Sequence, residues 1–235
     1  MSISTFNRVL PAAIAAATMT SIALADTFDS HVGINVENNH LSTQGWQSGT
    51  GYLGEKRLFA FDIESGPGIA DVGTNSVGGT FTTPGEIGFS FMGQLHQWNG
   101  DDFTASINHM IVQRGPLQAQ SSTGVVVGFG TAVRDENSHP SDPAQWGRHH
   151  VHADYWIGGD NVQDGIYLIE MQLWYQGAGS YADSKSFWML LNRNADLGDV
   201  QLAIDFANAN IVPAPGALAL LGLAGLAGVS RRRRR

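Results

Sequence analysis

The stretch GIYLIEMQLWYQ, residues 165–176, decides how this chain is read. Tyr167, Ile169, Met171, Leu173 and Tyr175 fall on one side of it, with Glu170 and Gln172 on the other. Apolar and polar residues alternate with period two, the pattern of a half-buried strand. A helical period of 3.6 would scatter these apolar positions around the axis. Working outward, the same alternation recurs. In DFTASINHMIV (102–112), Phe103, Ala105, Ile107, His109 and Ile111 oppose Thr104, Ser106 and Asn108. In DVQLAIDF (199–206), Val200, Leu202, Ile204 and Phe206 share a face. RLFAFDI (57–63), GFSFMGQLHQW (88–98), GVVVGFGTAV (124–133) and SFWMLLN (186–192) are further strand candidates.

Turn signals separate these runs. Asn99-Gly100 in WNGDD is a hairpin cue between two alternating segments. ESGPG (64–68), RGPLQAQSSTG (114–124), QGAGS (176–180), RNADLGD (193–199) and NSHPSDPAQWG (137–147) read as loops. Eight or nine short strands between Gly- and Pro-rich turns predict an all-β chain. Its body is expected to be a single antiparallel β-sandwich of the jelly-roll or Ig-like kind over residues 26–210. No internal repeat and no second domain boundary interrupts it.

Composition narrows the function. The chain has no cysteine, which removes disulfides, thiolate metal sites and cysteine nucleophiles. Between Asp26 and Val212 there are seven Lys and Arg against 21 Asp and Glu. So acidic a body is a poor partner for nucleic acid, which needs clustered positive charge, and suits cations better.

The two ends read as addresses. Arg8 precedes an alanine-rich apolar run, and Ala23-Leu24-Ala25 supplies the small-x-small pattern of a signal-peptidase site. Residues 1–25 are therefore expected to be a signal peptide cut before Asp26. At the other end come Val212, Pro213, Ala214 and Pro215, then an uncharged run rich in Leu, Ala and Gly from Ala217 to Val229. Arg231, Arg232, Arg233, Arg234 and Arg235 close the chain. The apolar run is short against the ~20 residues of a usual span; flanking residues and snorkelling arginines lengthen it. The positive-inside rule keeps those arginines cytoplasmic.

A proline-x-proline motif, a short membrane helix and an arginine cluster in that order resemble a PEP-CTERM sorting signal over residues 211–235, with Ala214 where the usual Val-Pro-Glu-Pro motif has glutamate. The resemblance implies transient anchoring in the inner membrane through the C-terminal helix. It further implies cleavage near the proline motif by an exosortase-type enzyme, and delivery to the surface or matrix of a bacterium with a Gram-negative type envelope.

The candidate chemistry lies in GRHHVHADYWI, residues 147–157. On a strand, His150, His152 and Asp154 stand on one face, while Val151, Ala153, Tyr155 and Ile157 point to the core. Two neutral imidazoles and a carboxylate suit Zn²⁺, Cu²⁺ or Ni²⁺, with His149 or His139 near enough in sequence to add a ligand. His96 and His109, on candidate paired strands, are a second possible meeting; His31 and His40 bracket a polar N-terminal segment. Clustered histidines are also a pH-responsive surface. HHVHADYWI followed by GIYLIEMQL and SKSFWMLLN is similar to a group of histidine-containing exported PEP-CTERM proteins under zinc-responsive repression. That similarity implies a surface protein concerned with zinc capture or storage.

The leading expectation is thus a non-enzymatic, exported protein binding divalent metal. No nucleophile elbow, His-Glu-x-x-His, phosphate loop or dinucleotide fingerprint occurs. A metal-dependent hydrolase stays open, since three protein ligands suffice for catalytic zinc. So does a structural or adhesive sandwich that binds extracellular polysaccharide, given Trp46, Trp98, Trp146, Trp156, Trp174 and Trp188.

Overall fold

The structure, a computed structural model, describes residues 27–63, 68–179 and 181–213. The expected signal segment with Ala23 and Ala25, and the tail from Ala214 to Arg235, lie outside the described residues.

The strands in chain order are β1 (His31–Glu37), β2 (His40–Gln47), β3 (Gly51–Glu55), β4 (Leu58–Asp62), β5 (Ala70–Asn75), β6 (Gly85–Phe91) and β7 (His96–Trp98). They continue with β8 (Phe103–Ala105), β9 (His109–Arg114), β10 (Leu117–Gln120), β11 (Val126–Ala132), β12 (His150–Gly158), β13 (Gly165–Gly177) and β14 (Phe187–Arg193). One helix, α1 (Leu197–Asn210), follows. The first sheet runs β10-β9-β12-β5-β1-β2-β3. The second runs β11-β6-β13-β14-β4, with β7 and β8 attached beside β13.

The two sheets share one core. Ile34, Val72 and Met110 from the first meet Phe59, Phe91 and Ile169 from the second, all buried. The stretch 165–176 lies in β13, which pairs with β14 from Gly165 to Met171 and with β6 from Met171 to Gly177. Tyr167, Ile169, Met171 and Leu173 are buried inward as their alternation requires. The chain is mostly β in two sheets, as expected, but the sheets are mixed. β1 runs parallel to β5 and β4 runs parallel to β14, so the expected purely antiparallel pairing does not hold. Parallel neighbours come from chain segments far apart, and no local pattern announces them.

Several segments differ from their sequence reading, GFSFMGQLHQW among them, which divides between β6 and β7. DVQLAIDF is not a strand: it lies inside α1. Asp196 caps the helix, its carboxylate accepting from the Gly198 N–H at 2.8 Å, a contact of the kind worth ~1 kcal/mol. Val200, Ala203 and Ala207, spaced as one helical stripe, are fully buried, while Leu202 of the supposed apolar face is exposed. DFTASINHMIV is two strands, because Ile107 turns out to solvent between β8 and β9, which belong to different sheets. In RGPLQAQSSTG, read as a loop, Arg114 pairs with Leu117 across a tight turn at Gly115 (φ 57°) to form the β9–β10 hairpin.

The outer faces of the two sheets are treated differently. Helix α1 covers part of the second sheet, packing its stripe on Ile166, Leu168, Trp188 and Leu190. Among the described residues no helix is long and apolar enough to cross a membrane.

Candidate metal centre

β12 is built as its sequence asks. Tyr155 and Ile157 are buried in the core, and Ala153 packs against it. His150 and His152 therefore stand on the outer face of the first sheet. β5 is the neighbour of β12, with Gly73 opposite His152. On the other side of β5, β1 sets His31 opposite the same Gly73. Two histidines thus flank a glycine across three strands.

The glycine is what lets them meet. Strands lie about 4.8 Å apart, so β1 and β12 are separated by roughly twice that. The His31 imidazole crosses the gap over Gly73, where a side chain of even one carbon would overlap His31 Cδ2. With that space free, His31 Nε2 reaches 3.2 Å from His152 Nε2. His150 Nε2 lies 3.3 Å from the same atom. One nitrogen of each ring lies within 4.8 Å of those of the other two, close enough together to hold a metal ion. Zinc–nitrogen bonds of about 2.0–2.1 Å in a tetrahedron put adjacent nitrogens about 3.3–3.4 Å apart, which the two short separations match.

The far nitrogens are also held. Asp71, two residues before Gly73 on the same face, places Oδ1 2.9 Å from His152 Nδ1. A carboxylate only accepts, so this contact fixes the proton on Nδ1 and leaves the Nε2 lone pair free, the orienting role a carboxylate plays behind a metal-bound histidine. Ser30 Oγ lies 3.0 Å from His31 Nδ1. Arg148 Nη2 lies 3.3 Å from His150 Nδ1. A guanidinium only donates, so Nδ1 of His150 accepts and its proton sits on Nε2, where it can bridge to His152 in the metal-free protein. For His150 to ligate through Nε2, that proton must leave and Arg148 must let go of Nδ1 or accept a changed ring.

Two of the rings, His150 and His31, are biased toward the neutral form that ligation requires. Partial burial first, then Arg148, His152 and His31, push His150 down to about 4. Burial and the neighbouring His152 likewise lower His31.

Of the residues expected from sequence, His150 and His152 belong to this group. Asp154 shares their outward face but pairs with Asp71 across the sheet and lies outside the three-histidine set. His149 is not a partner either. It turns inward, 2 % exposed, with Nε2 3.0 Å from Thr74 Oγ1; burial holds it down to about 3. His139 sits in the 134–147 loop against Ser138 Oγ at 3.2 Å, also outside the set. His96 and His109 do not meet, since β7 attaches to the second sheet and β9 lies in the first. Sequence reasoning missed the roles of His31 and Asp71. Both depend on the β1-β5-β12 order, and the only local sign is a glycine two residues after an aspartate on an outward face.

No protein family, curated protein or solved structure matches this chain.

Proposed function

We propose that this chain is a non-enzymatic, exported protein that binds a divalent metal, zinc foremost, through His31, His150 and His152. The observation that carries the metal reading is the convergence of three Nε2 atoms from two strands over a residue without a side chain, with Asp71 braced behind one ring. Three nitrogens leave a fourth coordination position open, which suits capture and transfer of the ion. Export rests on the two chain ends: a signal peptide cut after Ala25, and a PEP-CTERM-like tail processed at Val212–Pro215 and held by Arg231–Arg235.

The test is zinc-dependent thermal and denaturant stability of the full chain. At hundredfold excess over the dissociation constant, zinc should stabilise by ~2.7 kcal/mol. Replacing His31 and His152 with alanine should remove that gain and leave the metal-free midpoint nearly unchanged. A wild-type protein indifferent to zinc, copper and nickel would sink the reading.

A further inference from the structure

Positive charge is scarce in this body yet gathered in one place. Of the seven Lys and Arg between Asp26 and Val212, Arg114, Arg134 and Arg148 all act electrostatically on His149 or His150. None of the three forms an ion pair among the described residues; the pairs there involve Lys56, His152, Lys185 and Arg193. Arg134 and Arg148 instead share one neutral acceptor, each donating from Nη1 to Oε1 of Gln145. Arg148 places its remaining donors on Asn75 Oδ1 at 3.2 and 3.4 Å and on His150. The backbone locks the two arginines side by side, the Arg134 N–H donating to the Arg148 carbonyl at 2.8 Å. Neither Asp135 nor Asp142, in the adjoining loop, forms an ion pair with them. Asp135 accepts from the N–H groups of Asn137 and Ser138 within its own turn, and Asp142 acts on Arg134 only through space.

Beside this group is a hollow of about 310 Å³, lined by Arg114, Arg134, Ser138, His139 and His150. Its lining thus brings one histidine of the three-histidine group together with two arginines and no carboxylate. Arg134 carries the repulsion of Arg148 and shares the hollow with Arg114, so an anion bound in the hollow offsets like charge that no carboxylate there neutralises. The guanidinium fork matches an oxyanion or carboxylate in two hydrogen bonds at once.

We propose that this hollow binds a small oxyanion, and that its occupancy strengthens metal binding at His31, His150 and His152. The anion offsets the arginine charge that opposes a second cation beside His150, and by linkage the metal favours the anion equally. The coupling rests on the metal reading above; the anion site does not.

Sulfate, a weak ligand for zinc in water, is the probe. The metal-free full chain is titrated with sodium sulfate at constant ionic strength, as wild type, as R114Q and as R114Q/R134Q. Arg114 is exposed at the end of β9, so the single variant keeps the test valid where the double fails to fold. Saturable binding in wild type, weakened in R114Q and lost in the double variant, is expected. Zinc affinity is then measured with and without sulfate, and a rise of roughly fivefold or more is expected in wild type alone. Equal sulfate response in all three chains would overturn the anion site. Specific sulfate binding without any change in zinc affinity would overturn the coupling. Specific sulfate binding in a chain that never binds zinc would overturn the metal reading and leave the anion site standing.

Discussion

The outer faces of the two sheets make opposite use of the same fold. On the second sheet, α1 packs Val200, Ala203 and Ala207 over Ile166, Leu168 and Leu190. On the first sheet, β1, β5 and β12 leave their outer side chains uncovered, and His31, Asp71, His150 and His152 interact through ring nitrogens and a carboxylate. The covered face contributes stability and the open face contributes chemistry. Substitutions should therefore sort by face: those under α1 should cost stability, and those over Gly73 should cost metal binding.

The largest expected effect lies on the covered face. Ala203→Glu places an unpaired carboxylate at a fully buried site and should cost about 4 kcal/mol, read as a lower urea midpoint. A neutral result would mean that α1 does not seal the sheet in solution. Next comes acid. His149 and His150 are held at about 3 and about 4 in the folded chain, against roughly 6.5 when unfolded. Between those values the unfolded chain binds more protons, so metal-free stability is complete above about pH 6.5 and falls as pH drops toward 3. The loss should be on the order of 3 kcal/mol, most of it from the buried His149, because His150 is well screened by solvent. His149→Gln should flatten the profile; an unchanged profile would place His149 outside the core. The smallest effect on folding, and the most selective, belongs to Gly73→Ala. Its methyl displaces the end of the His31 side chain rather than backbone, so stability should change by less than ~1 kcal/mol, while the ~2.7 kcal/mol zinc gain disappears. Asp154→Ala, on the same face, should leave that gain intact.

The contrast between the faces also marks what the sequence could reveal. Strands whose two sides differ were legible: β12, and β13 from Ile169 to Leu173, announced which residues face the core, because alternation is a local property. Residues 199–206 misled for a related reason. Val200, Leu202, Ile204 and Phe206 alternate, yet Val200, Ala203 and Ala207 also form a helical stripe, and alanine does not stand out as an apolar signal. The three-histidine group was half legible. His150 and His152 share a strand and could be paired on the page, whereas His31 enters only through two further strand pairings, one of them parallel. Asp154 was a reasonable expectation from spacing, but the carboxylate behind His152 comes from the neighbouring strand.

The join between His31 and His152 has a mechanical meaning. These residues are 121 apart in the chain, and the protein has no cysteine with which to tie distant segments. A metal held there would be a removable cross-link closing that whole loop. In the chain-entropy picture, a covalent bridge of such length restricts the unfolded ensemble by roughly 5 kcal/mol. The ion would then act as a clasp on the sandwich, slowing the opening of β1 from β5 and β12, and the loaded and empty forms would differ in resistance to proteolysis.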